Sequence, residues 1–198
     1  MIPAAAFVAV SALSLVPAVS NQGRRPAPAS PAPTLAPPVS PAGLKALKAR
    51  EIGPAVMGGR VSDIALDPAD AHTFYVALAT GGLAKTTDSG GSFKGVFEHE
   101  SVASTGAVAV APSNPKVVWL GTGEANDRNS SGWGNGVYRS TDAGESWTHA
   151  GLPGSKAIAR IVVHPSEPET AWVAAAGDLW TPSSERGIYK TTDGGKTW

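Results

Sequence analysis

TTDSGGSF (86–93), STDAGESW (140–147) and TTDGGKTW (191–198) obey one rule, Ser/Thr-x-Asp-x-Gly-x-Ser/Thr-aromatic. Their acids, Asp88, Asp142 and Asp193, stand 54 and 51 residues apart. Upstream of each box runs a second shared pattern: SDIALDPADAHTFYVAL, GAVAVAPSNPKVVWLGT and ARIVVHPSEPETAWVAA, with turn prolines Pro68, Pro112 and Pro165. From box Asp to the next proline the count is 24 and then 23 residues; from proline to box Asp it is 20, 30 and 28. A constant half and a variable half are what one structural repeat with one adjustable loop gives.

Each unit reads as four short strands. The first, at 61–66, 106–110 and 160–164, alternates apolar residues with period two. The second follows the Pro turn at 73–78, 117–121 and 171–175, and the third leads into the box at 83–86, 136–140 and 187–191. The box turns into a fourth at 92–97 and 146–150. Four strands per unit of about 50 residues predict an all-β chain, a β-propeller of four-stranded antiparallel blades. The blades fall at about 58–98, 103–151 and 157–198. About three blades are present and the ring is incomplete, so the reading expects further C-terminal blades in a longer parent. AREIGP (49–54) reads as a fourth strand without a box, suited to closing a last blade.

The box has a structural logic. Its Asp accepts from backbone N–H groups of its own turn. Its glycine (Gly90, Gly144, Gly195) permits a positive φ. Its aromatic residue (Phe93, Trp147, Trp198) packs into the sheet. A catalytic centre has no need of three equivalent copies, so these acids are read as structural.

The rest of the chain sets limits. Of 198 residues, 42% are hydrophobic, enough for a core. Lys+Arg and Asp+Glu are equal at 16, so a broad basic footprint for nucleic acid is not expected. There is no Cys, hence no disulfide and no thiol nucleophile. No cofactor motif or metal-ligand spacing occurs. Residues 4–16, AAAFVAVSALSLV, are short for a membrane span and precede small residues at 18–20, so 1–20 is read as an export signal. A membrane link is expected only if that segment stays uncleaved. Residues 21–43 form a linker; seven of the 20 in RRPAPASPAPTLAPPVSPAG (24–43) are Pro and five are Ala. The folded part spans 44–198, and the location expected is secreted, periplasmic or cell-envelope.

The three boxes resemble the Asp-box, or bacterial neuraminidase repeat, of sialidases, sortilin-type receptors, xyloglucan-cleaving glucanases and photosystem assembly factors. IGPAVMGGRVSDIALDP, YVALATGGLAKTTDSGGSF, VVWLGTGEANDRNSSGWGNGVYRSTDAGESW and ERGIYKTTDGGKTW further resemble exported bacterial propellers labelled sortilin-like or glycosyl-hydrolase-like. The resemblance implies a propeller that holds a peptide or glycan as sortilin-type receptors do, or else the N-terminal part of a glycoside hydrolase. The specific enzyme patterns are broken. The sialidase Arg-Ile-Pro does not occur, and Ala79-Thr80 precedes Gly81-Gly82 where xyloglucan-cleaving relatives have an acid.

Ligand sites belong on the variable loops between strands two and three. GTGEANDRNSSGWGNG (121–136) offers Glu124, Asn126, Asp127, Arg128, Asn129 and Trp133; GDLWTPSSERG (177–187) offers Asp178, Trp180, Glu185 and Arg186. A Trp among Gly and polar residues can stack on a sugar or anchor a peptide. Arg60 and Arg160 open inner strands, where each can bind an anion or pair with an acid. His99, between Glu98 and Glu100, reads as a solvated surface. A glycoside hydrolase needs two carboxylates across a cleft, about 5–9.5 Å apart, and Glu124 with Asp178 is the pair to examine. Salt bridges from those two carboxylates to Arg128 or Arg186 would weaken the enzyme reading.

Overall fold

A computed structural model describes residues 59–126 and 128–198 of the chain. The export-signal and linker readings, and the AREIGP segment, lie outside the described residues. Within them there is no helix, and so none long and apolar enough to cross a membrane.

Among the described residues, eleven strands form three antiparallel sheets. Blade 1 contains β1 (Val61–Asp67), β2 (Asp70–Leu78), β3 (Gly82–Thr86) and β4 (Lys94–Gly95), in that order. Blade 2 repeats it with β5 (Thr105–Val110), β6 (Val118–Thr122), β7 (Val137–Ser140) and β8 (Thr148–His149). Blade 3 has β9 (Ile158–Val163), β10 (Ala171–Ala175) and β11 (Gly187–Thr191). The inner strands β1, β5 and β9 adjoin in chain order. Three sheets of this order, packed face to face about their first strands, are an arc of a β-propeller.

Two details depart from the sequence expectation. The fourth strands are two residues long instead of five or six. The tight box turn consumes their first residues, and beyond the paired residues the ladder continues through Val96 N–H to Leu83 O (2.9 Å) in blade 1, and through Ala150 N–H to Val137 O (2.7 Å) and Val137 N–H to Gly151 O (3.0 Å) in blade 2. Each inner strand also carries a bulge near its start, at Ser62, Gly106 and Ala159. Each of these stands six residues before its turn proline, a spacing that marks the repeat as firmly as the boxes do. The extra residue bends the strand where it enters the sheet.

Period-two alternation gives every blade two apolar faces. The leading face meets the preceding blade and the trailing face meets the following one. Between blades 1 and 2, Tyr75, Ala77 and Leu83 pack on Val108, Val118 and Leu120. Between blades 2 and 3, Ala107, Trp119 and Val137 pack on Ile161, Val163 and Val173. Each fully buried aliphatic side chain contributes roughly 1.5–3 kcal/mol. A cation from the third strand covers the second-strand aromatic in each blade: Lys85 on Tyr75, Arg139 on Trp119 and Lys190 on Trp172, at 5.5, 5.5 and 5.3 Å.

The box aromatics do more than pack on their own sheet. Trp147 Nε1–H donates to Val96 O (2.6 Å), and Trp198 Nε1–H to Ala150 O (2.7 Å). Each reaches the fourth-strand region of the preceding blade. Phe93, in the first blade, has no N–H to give and lies exposed against the edge of Phe74.

Candidate functional site

Successive strands alternate direction, so the loops 79–81, 123–136 and 176–186 share one end of the arc with the segments that enter β1, β5 and β9. Three equivalent backbone bonds tie that end together: Ala79 N–H to Arg60 O, Gly123 N–H to Ser104 O, and Ala176 N–H to Ala157 O, at 2.8, 2.8 and 2.9 Å. The loop of blade 2 leans onto blade 3 through Gly134 N–H to Lys156 O (2.8 Å). Glycine is required for that approach, because Gly123 sits at φ +81° and a Cβ there would strike Lys156 O.

Glu124 is almost completely buried, with 1% of its surface exposed. Its carboxylate takes two bonds from the Arg60 guanidinium, the Nε one at 3.0 Å. Arg60 is also the main reason its pKa lies below the ordinary carboxylate value. The Glu124 N–H donates to Ser104 Oγ (3.2 Å), and that hydroxyl donates to Gly132 O (3.0 Å). Blade 1 thus supplies the counter-ion for the loop of blade 2. Bidentate guanidinium–carboxylate geometry suits a fixed pair.

Asp178 has a different partner. Lys156 Nζ donates to it at 2.8 Å, and the Trp180 N–H donates to its other oxygen at 2.9 Å. Those bonds, Lys156 first, hold its pKa down to about 2. Arg186 does not bind the Asp178 carboxylate; it donates to the Ala176 and Asp178 backbone carbonyls (2.9 and 2.8 Å) and braces the loop. Lys156 Nζ also stands 4.2 Å from the centroid of the Trp133 ring. A row of contacts therefore runs from Trp133 in blade 2 through Lys156 to Asp178 in blade 3, where the Trp180 backbone meets the same carboxylate. The two indoles are 58% and 52% exposed.

Each of the two candidate carboxylates belongs to its own part-buried ion pair, Glu124 with Arg60 and Asp178 with Lys156. A glycosidase proton donor needs a raised pKa, and both are lowered. Asn126 and Arg128 are exposed on the lip of the blade 2 loop, where their carbonyls accept from the Ser131 hydroxyl (2.6 and 3.1 Å). Arg160 lies 3.7 Å from Asp63, joining blade 3 to blade 1. His99 lies beside small rim hollows of about 160 and 260 Å³, near Val96 and Glu145 and away from the loop row. Among the described residues no group of three or more His, Cys, Asp or Glu side chains converges.

Sequence reasoning missed Lys156 and Ser104. The signal for Ser104 is its offset, eight residues before Pro112, as Arg60 is eight before Pro68. Lys156 lies one residue ahead of the equivalent position in blade 3 and carries no such mark.

No family model matches the sequence, and no curated protein matches it. The fold is similar to that of solved propellers. An ancestral GH74 enzyme aligns with 70% of this chain at 22% identity and a TM-score of 0.53. The GH74 xyloglucanase of Xanthomonas campestris aligns with 70% at 21% identity and a TM-score of 0.50. YCF48 bound to D1 peptide aligns with 71% at 18% identity and a TM-score of 0.48. The chain spans only 18%, 23% and 40% of those proteins. The likeness to the two GH74 structures supports an all-β propeller arc.

Proposed function

We propose that this chain is an exported Asp-box propeller module that holds a peptide or glycan on its loop face. The observation that carries the reading is the row Trp133–Lys156–Asp178–Trp180. It pairs two exposed indoles with polar groups whose charges are already matched. Such a surface offers stacking and hydrogen bonds without a free charge, which suits a neutral extended chain. The alternative, part of an Asp-box glycoside hydrolase, would need Glu124 and Asp178 released from Arg60 and Lys156.

Tryptophan fluorescence during titration with a soluble β-glucan and with a mixed decapeptide library tests the reading. Binding to one of them is expected, and Trp133→Ala or Trp180→Ala is expected to weaken it roughly tenfold, the worth of a stacked ring. Reducing ends released from the glucan, and lost in Glu124→Gln, would favour the hydrolase instead. Binding that neither Trp variant alters would move the site off this face.

A further inference from the structure

The blade 2 loop carries a motif that ligand binding on the loop face does not use. The chain has five asparagines: Asn21, Asn114, Asn126, Asn129 and Asn135. Asn114 precedes Pro115, and Asn135 precedes Gly136-Val137. Only Asn129, in Asn129-Ser130-Ser131, satisfies Asn-x-Ser/Thr with x other than proline. That is the acceptor rule for N-linked oligosaccharide, and it calls for a surface loop.

The structure supplies that loop. Its stem is pinned, because the Glu124 N–H and the Ser104 hydroxyl both donate to Gly132 O (3.1 and 3.0 Å). Just ahead of Gly132, Asn129 and Ser130 form the corner of a turn closed by Ser131 N–H to Arg128 O (3.3 Å). Both corner residues are exposed. Asn135 is the contrast: its amide donates to Ser101 Oγ and Tyr138 Oη (3.3 and 3.0 Å), beside the buried Gly136. A glycan on Asn135 would break those bonds. One on Asn129 leaves the stem bonds in place and puts a bulky polar group at the surface.

The motif's hydroxyl is engaged in the fold. Ser and Thr share a β-hydroxyl, so a rule that accepts either at the third position reads that group. Ser131 is half-buried, and its hydroxyl donates to Asn126 O and Arg128 O (2.6 and 3.1 Å). A transferase therefore meets it unengaged only before the turn closes.

We propose that Asn129 accepts an N-linked oligosaccharide, and that transfer precedes closure of the blade 2 loop. The proposal rests on the exported reading above, because it needs a lipid-diphosphate-linked oligosaccharide as donor. Asn129 Nδ2 attacks C1 of the first sugar and an N–C1 bond forms. The C1–O bond to the diphosphate breaks, its electron pair leaves on the lipid diphosphate, and one amide proton passes to a base of the transferase. Nothing is oxidised or reduced.

The test is cell-free synthesis of the full chain with a detergent-solubilised oligosaccharyltransferase and its lipid-linked donor. This reads the acceptor apart from export. Release of the glycan by a peptide-N-glycanase leaves aspartate in place of the modified asparagine, which peptide mass mapping locates. With the enzyme present during synthesis, one glycan is expected at residue 129. It should be lost in Asn129→Gln and Ser131→Ala and kept in Ser131→Thr. Enzyme added after folding should leave most of the chain unmodified. An unmodified wild type, a glycan at another residue, or undiminished transfer to Ser131→Ala overturns the proposal. Equal transfer before and after folding overturns its timing. Synthesis beside intact microsomes, with protease outside, tests export separately. A digested chain defeats the exported reading while the acceptor stands. A protected but unmodified chain defeats the acceptor while export stands.

Discussion

At the scale of single residues, the box shows why a legible motif can still hide its hub. The acids stand out in the sequence, and each does accept from its turn: Asp142 takes the Ser146 N–H (2.9 Å) and hydroxyl (2.5 Å). The buried centre, however, is the first Ser/Thr of the box. Ser140 Oγ–H donates to Asp142 (2.7 Å) while its oxygen receives the buried Gly144 N–H (2.8 Å). Thr86 and Thr191 do the same in their blades. Ser140→Ala removes donor and acceptor together and leaves the Gly144 N–H without a partner. A loss of about 1–3 kcal/mol is expected in urea unfolding. A second feature was invisible in the motif. The residue before the box glycine is also left-handed: Ser89 at φ 59°, Ala143 at φ 61° and Gly194 at φ 75°. Only the third box uses glycine there. Ala143→Gly is expected to stabilise the chain by about 0.5–1 kcal/mol, because the Cβ cost of that region exceeds the entropy glycine adds to the unfolded chain. A fall in melting temperature would contradict that account.

At the scale of elements, strand order and turn placement were readable because period two, the Pro turns and the boxes all agree. The fourth strands were placed by the box turns, but their length was not readable, because two-residue pairings leave no periodic trace. The box turns titrate as a set. In each, bonds from the turn hold the Asp pKa down to about 2: chiefly the Ser92 N–H for Asp88, the Ser146 hydroxyl for Asp142 and the Thr197 hydroxyl for Asp193. The unfolded value is about 3.9. A folded pKa below the unfolded one gives stability that is complete above the unfolded value and lost as pH falls through the folded one. The three boxes should therefore weaken together between about pH 4 and pH 2. Urea midpoints measured across that window should fall steadily, and replacing all three Asp by Asn should flatten the slope. An unchanged slope would show that the boxes do not govern acid stability.

At the scale of the whole molecule, the loop face joins blades that the sequence places far apart. The Arg60–Glu124 pair spans 64 residues. Its members were each singled out by residue type and loop position, but no local pattern could match them, since the pairing follows from how blade 1 stands against blade 2. The pair makes a prediction with a reversed sign. In the native chain Arg60 lowers the Glu124 pKa, so this site adds stability above the ordinary carboxylate range and loses it as pH falls. Arg60→Met removes the guanidinium while keeping much of the stem, and leaves a buried carboxylate without its counter-ion. Burial then raises the Glu124 pKa above its unfolded value. The variant should be less stable near pH 7, and the deficit should shrink as pH falls and Glu124 takes up a proton. Adding Glu124→Gln to Arg60→Met should recover most of the loss at pH 7 and abolish its pH dependence. Thermal unfolding of the wild type, both single variants and the double variant at pH 7 and pH 5 supplies the cycle. Equal losses for Arg60→Met at both pH values would mean that the guanidinium acts by packing alone. The loop of blade 2 would then be held by Ser104 and the Gly134–Lys156 backbone bond instead of by charge.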